Sequence, residues 1–293
     1  MAQPDKRYAF FWGCMIQGKY PQFEAALRKT MPNLGIEIVD FDEFSCCPDP
    51  IFFKATDKRL WAVMAARNLA IAEKEGLDII TACSGCTATL KEVHHLLKED
   101  LKLKDEINKE LKKIGRKIEG TQEVKHIIPF LRDDIGINKV KESVVKPLKE
   151  LKIGVHYGCH LLRPDKVMKV DDPDYPEVME NFISVLGATA VPHKTTNVCC
   201  GKSCMDADIR AHMTSDVLNA LIDTNVDCMG LICPSCFDEF DVGQITLRRK
   251  LKKDFNLPII FYFQLLGLAQ GFTAEEMGMN LHKIKPESVL NKI

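Results

Sequence analysis

Ten of the twelve cysteines in this 293-residue chain fall into two copies of one pattern. In each copy a Gly-Cys step comes first, then two adjacent cysteines, then a Cys-x-x-Cys. The first half carries Gly13-Cys14, Cys46-Cys47 and Cys83-Ser84-Gly85-Cys86; the second carries Gly158-Cys159, Cys199-Cys200-Gly201 and Cys233-Pro234-Ser235-Cys236. The residues between these motifs number 31 and 35 in the first copy and 39 and 32 in the second. Such a duplication makes two domains the better count, and a chain that is 46% hydrophobic can bury two cores. The boundary is expected near Lys146-Pro147, giving residues 1–146 and 147–293.

Disulfides explain this pattern poorly, because each set holds an odd number of thiols and a reducing compartment keeps them apart. The run Met1-Ala2-Gln3-Pro4-Asp5-Lys6-Arg7 lacks the long apolar core and cleavage site of a secretory signal, which points to the cytoplasm. The apolar segment Ile259 to Leu268 is about half the length that spans a bilayer, so it reads as core. A net charge of -1 gives no global field toward nucleic acid or anionic membranes. Zinc would take four ligands, and neighbouring cysteines do not readily both face one tetrahedral ion. Conventional cubane clusters also take four, from more closely spaced runs. Five thiols per set point to an iron-sulfur site of unusual build.

The periodicities alternate between strand and helix, which argues for an α/β architecture. Strands are expected at Tyr8–Trp12, Ile36–Phe41, Leu77–Ala82, Leu151–Tyr157, Ala188–Val191, Val226–Ile232 and, past the repeat, Pro258–Phe263. Helices are expected at Asp57–Glu75, Pro176–Leu186, Asp206–Thr224, Cys236–Asp241 and Gln264 to about Gly271. Residues 96–125 read as one long amphipathic helix, a solvated arm or a docking arm, and His126 to Ile137 as connection. Both Cys-x-x-Cys motifs fall at strand-to-helix corners, where unpaired N–H groups favour ionised thiolates. Ligands in such folds gather at these carboxyl ends of strands.

With its lone cysteine, Cys-Cys-Gly and Cys-x-x-Cys each present twice, the chain resembles the CCG-domain family, and within it the catalytic iron-sulfur subunits of heterodisulfide reductases. The resemblance extends to Gly158-Cys159-His160-Leu161-Leu162-Arg163-Pro164 and to Phe261-Tyr262-Phe263-Gln264-Leu265-Leu266-Gly267-Leu268-Ala269. It implies two CCG domains related by pseudo-twofold symmetry, each a small sheet flanked by helices. It also implies two noncubane [4Fe-4S] clusters, one on Cys14, Cys46, Cys47, Cys83 and Cys86 and the other on Cys159, Cys199, Cys200, Cys233 and Cys236. Cys47 is followed by Pro48 where the family pattern has glycine. The implied reaction is reduction of the coenzyme M–coenzyme B mixed disulfide in methanogenesis, each cluster giving one of the two electrons. The implied partners are the ferredoxin-like and the flavin-containing subunits of the reductase, with a hydrogenase or formate dehydrogenase in a larger complex.

His160 is the candidate proton donor, or equally a hydrogen-bond donor to a metal-bound sulfur; His193 is the weaker candidate. Because both coenzymes are anionic, Arg163, Lys194, Lys202 and Arg210 form the candidate substrate patch. Cys204 and Cys228 lie outside both sets and read as structural thiols. Two other functions remain open on the sequence: the iron-sulfur subunit of another CCG oxidoreductase, of the glycolate, lactate or quinone-linked type, and a non-catalytic scaffold with two zinc sites.

Overall fold

The computed structural model describes residues 7–293; Met1–Lys6, most of the run read as lacking a secretory signal, lie outside the described residues. Each half builds a four-stranded parallel sheet. In the first, β1 (Arg7–Phe10), β2 (Glu37–Val39), β3 (Ile79–Thr81) and β4 (Val124–His126) lie in the order β2-β1-β3-β4. In the second, β5 (Lys152–His156), β6 (Thr189–Ala190), β7 (Cys228–Leu231) and β8 (Ile259–Phe261) lie in the order β6-β5-β7-β8. The two orders are one topology used twice, so the repeat seen in the cysteines is a repeat of fold. Helices cover the sheets, which is why β3, β7 and β8 are apolar runs buried along their whole length.

The strands expected at Ile36–Phe41, Leu77–Ala82, Leu151–Tyr157 and Val226–Ile232 are present, each trimmed by a residue or two at its ends. The helices Lys58–Lys74 and Ala207–Ile222 start where side chains of Asp57 and Asp206 accept backbone N–H groups of their first turns. Three expectations need correction. Val124-Lys125-His126, expected as the end of the long helix and the start of the connection, is the strand β4, the first-half counterpart of β8, and each is followed at once by a helix. It escapes the pattern because its middle residue is a lysine, whose Nζ is held by Asp134 at 2.6 Å. The helix after Cys233 does not stop at Asp241: Pro234–Phe237 runs through a π-helical turn, Asp238–Val242, into Gly243–Leu251.

The third correction concerns residues 96–125. The helix Ser84–Glu99 stops at Asp100, whose carboxylate accepts from Leu103 N at 3.0 Å and so starts a second helix, Leu101–Lys112. Ile107 and Leu111 of that helix are buried, but Ile118 reaches the core from the loop beyond it and Ile114 is exposed. The apolar period therefore continues after the helix that generated it has ended.

Packing between the halves brings the site together. The helix Pro21–Thr30 lies on the helix Tyr262–Ala269, and Phe23 stacks on Phe261 at 4.0 Å between ring centroids, with Phe237 on the other face at 4.2 Å. Each such pair adds about 0.5–1.5 kcal/mol beyond its area burial. Phe237 directly follows Cys236, so this three-ring stack holds the second Cys-x-x-Cys against the first half. Among the described residues no helix is long and apolar enough to cross a membrane.

Candidate functional site

Cys83 stands two residues past the end of β3 and immediately before the helix Ser84–Glu99, and Cys233 takes the same place between β7 and the helix Pro234–Phe237. The second cysteine of each motif lies one turn on, so all four face the positive end of a helix. Cys14 and Cys159 follow β1 and β5 through Gly13 and Gly158, which have φ of +71° and +70°. A Cβ added at Gly13 would stand 2.7 Å from Cys86 Sγ, and one at Gly158 would stand 2.9 Å from Cys236 Sγ. Only glycine lets the lone-cysteine turn lie this close to the Cys-x-x-Cys sulfur.

The adjacent cysteines are held differently in the two halves. Gly201 N donates to Cys199 Sγ at 3.4 Å. In the first half, where Pro48 has no N–H to give, Asn68 Nδ2 donates to Cys46 O at 3.1 Å and Thr89 Oγ1 to Pro48 O at 2.8 Å. Side chains of neighbouring helices thus hold the carbonyls of this loop, as Thr214 Oγ1 holds Cys200 O at 3.2 Å in the second half.

All ten motif cysteines line a single cavity of about 350 Å³. They form one continuous line in which each thiol lies within reach of the next: Cys14, Cys46, Cys47, Cys86, Cys83, then across the halves to Cys233, Cys236, Cys200, Cys199, Cys159. From either end the line passes the lone cysteine, the adjacent pair and the Cys-x-x-Cys. All twelve cysteines of the chain are free. Hydrogen bonds from Cys159 and Cys200 draw Cys199 down to about 2, those from Cys46 and Cys86 draw Cys47 down to about 6, and those from Cys236 and Cys83 lower Cys233. The same bonds push Cys86, Cys159 and Cys200 upward.

Among the described residues no three histidine, cysteine, aspartate or glutamate side chains close around the position of one ion. Soft thiolates drawn out in a line, with a turn that leaves no room for a Cβ beside each Cys-x-x-Cys, suit a polynuclear metal–sulfide group by donor chemistry and by space. Cys204 donates to Asp206 O outside the cavity, and Cys228 is wholly buried in β7 with its pKa raised by burial.

His160 lines the cavity, and its Nε2 is buried without a partner. His193 does not line it; its ring nitrogens meet Thr195 Oγ1 at 3.0 Å and Val155 O at 2.7 Å. Of the four candidate cations, Lys202 alone reaches the cavity wall. Arg210 forks onto Glu239, Arg163 is turned to Asp174 and the Pro173 carbonyl, and Lys194 lines a separate groove with His193. Sequence reasoning missed the apolar wall made by Met15, Ile51 and Phe52, and the buried carboxylates that claim Lys202 and Arg210. It missed two buried histidines as well. Burial lowers His126 to about 3 and His156 to about 4.

Asp238 joins the two sets. Its carboxylate, 5% exposed, takes Lys19 Nζ from the helix that carries Cys14, Tyr20 OH, and Lys202 Nζ from the loop that carries Cys200. Burial raises its pKa, but the hydrogen bonds from Lys19, Lys202 and Tyr20 outweigh that and hold it at about 2, below the ordinary 3.8. A carboxyl depressed on folding adds stability that is complete above the ordinary value and disappears as pH falls through the depressed one. Denaturant midpoints of the protein should therefore exceed those of Asp238→Asn at neutral pH, and the difference should shrink from pH about 4 to about 2. A constant difference over that range would mean that Asp238 does not tie the halves through its charge.

The comparisons with known proteins agree with this geometry. The family described as CCG, cysteine-rich domain, matches residues 8–91 and 153–241. The chain is 35% identical to the B subunit of the ferredoxin:CoB-CoM heterodisulfide reductase of Methanosarcina mazei, over 98% of this chain and 97% of that one. It is 33% identical to the 8-methylmenaquinol:fumarate reductase membrane anchor subunit of Wolinella succinogenes, over 94% of this chain and 96% of that one. Among solved structures, a hypothetical protein from Helicobacter pylori superposes with a TM-score of 0.75 at 15% identity, over 97% of this chain and 53% of that longer one, which speaks to the fold alone.

Proposed function

The chain belongs to the CCG cysteine-rich domain family as an oxidoreductase of the kind found as the B subunit of heterodisulfide reductases, and from that premise we propose that it splits a coenzyme M–coenzyme B type disulfide at two noncubane [4Fe-4S] groups. The observation that carries this reading is the single line of ten thiols along one cavity, five from each half. Cys14, Cys46, Cys47, Cys83 and Cys86 would hold one group, and Cys159, Cys199, Cys200, Cys233 and Cys236 the other. When bound, the two iron-sulfur groups supply one electron each. The balance is one disulfide, two electrons and two protons to two thiols, with the electrons drawn from a ferredoxin-like partner protein.

The chain's own residues have four tasks in this scheme. The cysteines hold the redox groups on either side of the space the disulfide enters. His160, with an unpartnered Nε2 in the cavity wall, supplies a proton to a leaving sulfur. Lys202, 31% exposed beside the cavity, meets an anionic end of the substrate. Met15, Ile51 and Phe52 keep water from the disulfide.

Anaerobic purification with iron, sulfide and zinc counts, followed by a mixed-disulfide assay with an artificial reductant, tests the proposal. About eight irons with matching sulfide per chain, and thiol release, are expected. Two zincs without sulfide would end it. The full-length likeness to the Wolinella protein supports a second reading, electron transfer between a quinol and a partner reductase with no disulfide chemistry. Full iron content with no thiol release, together with reduction by a quinol, would select that one.

A further inference from the structure

His156 is 1% exposed, and neither ring nitrogen has a hydrogen-bond partner. The Thr195 backbone stands close by but outside hydrogen-bonding geometry, and the Phe240 ring meets the imidazole edge-on at 4.7 Å. Leaving a buried polar group unpaired carries its full desolvation penalty. The direction in which a partner is missing can be read from Gly158. A Cβ there would lie 3.9 Å from His156 Nε2 and 2.9 Å from Cys236 Sγ, so Nε2 is on the side of the ring that faces the second set of cysteines.

The first half provides an internal control. His156 stands two residues before Gly158, at the end of β5; the residue two before Gly13, just past the end of β1, is Phe11. Phe11 is also fully buried, and its Cε1 lies 3.7 Å from where a Gly13 Cβ would be. The two rings therefore occupy the same place against equivalent glycines, one with a polar edge and one with an apolar edge. Nothing in packing demands this difference, since an aromatic ring fills the site in the first half.

We propose that His156 donates an Nε2–H hydrogen bond to the redox group on the second set of cysteines and raises its reduction potential, while Phe11 withholds that bond from the group on the first set. The proposal rests on the reading that each set holds an iron-sulfur group. Hydrogen bonds to cluster sulfurs or thiolates stabilise the reduced, more negative form and are a principal control of potential. His156 touches neither substrate nor reacting atoms in this scheme; it is a positioning residue that makes two otherwise repeated groups inequivalent.

The test is redox titration of the anaerobically purified full chain, followed by electron paramagnetic resonance, in the unaltered protein and in His156→Phe, His156→Gln and Phe11→His, each with iron and sulfide counted first. In His156→Phe one midpoint should fall by at least a tenfold change in the one-electron equilibrium, 59 mV. The other midpoint should stay in place. His156→Gln, which keeps an N–H, should recover part of the fall, and Phe11→His should raise the other midpoint. Unchanged midpoints in His156→Phe at full iron content, or equal shifts of both, would overturn the hydrogen bond and leave the proposed function standing. Absence of iron and sulfide from the unaltered protein would overturn both.

Discussion

Replacing Cys199 and Cys200 together by alanine should halve the iron and sulfide of the purified protein, from about eight to about four atoms of each. It should also lower mixed-disulfide reduction by at least about a thousandfold, on the order of 4 kcal/mol of barrier. The expectation follows from the placement of the line of thiols. Cys199 and Cys200 link Cys159 to Cys236, so their loss interrupts the second set and leaves the first, from Cys14 to Cys83, complete. The fold should survive, because the two sulfurs contribute little to the core, about 1 kcal/mol each at most. The matching change at Cys46 and Cys47 should remove the other half of the iron. If either double variant keeps its full complement, the division into two sets of five is wrong. If iron halves but thiol release continues at the original rate, one group suffices and the shared cavity is not the reaction site.

The second large effect should come from one methyl group. Gly158→Ala forces a residue with a Cβ to hold φ near +70°, at a cost of about 1–2 kcal/mol. It also places that carbon 2.9 Å from Cys236 Sγ, closer than side chains tolerate. Either the turn moves, and Cys159 with it, or Cys236 does. The variant should lose about half its iron while its melting temperature without metal changes modestly. Gly13→Ala, with the tighter 2.7 Å approach to Cys86, should do the same to the first set. Gly18→Ala is the control, since it lies in the helix that carries Cys14 and a Cβ there meets nothing within 4 Å. Full iron and an unaltered absorption spectrum in Gly158→Ala would show that the turn has room that the structure denies it.

The parts of this molecule that are legible in the sequence are those decided by short stretches of chain. Cys83 and Cys233 can be placed at strand-to-helix corners because an apolar run followed by a helical period states where a strand ends. Asp57 and Asp206 mark helix starts by a bond to their own next turn. The strand β4 is not legible for the complementary reason. A three-residue strand with lysine at its centre has no period to read, and only pairing with β3, at Ile80 opposite Lys125, makes it a strand. Likewise Asp100 ends one helix and starts the next inside the span expected as one, a local capping event beneath a longer pattern.

The candidate site divides in the same way. Which cysteines come to line the cavity follows from the duplicated spacing. Which cations serve the site does not, because Arg163, Lys194, Lys202 and Arg210 are equally basic in the sequence. Three of them are sorted by carboxylates up to 36 residues away: Asp174 holds Arg163, Asp238 draws Lys202 to the cavity wall, and Glu239 draws Arg210 away from it. Those two acids are adjacent and both buried, in the π-helical turn that no periodicity announced.

The sequence by itself therefore determined the duplication, the α/β class, the family and the ten thiols, since each depends on residue type and on spacing along the chain. Tertiary structure alone decided that Cys83 meets Cys233, that the two sets share one cavity, and that His156 faces the second set where Phe11 faces the first. The first two of these depend on how the two halves pack, through Phe23, Phe261 and Phe237, and the third on how each lone-cysteine turn closes on its own sheet; contacts between distant segments have no signature in the order of residues within either one.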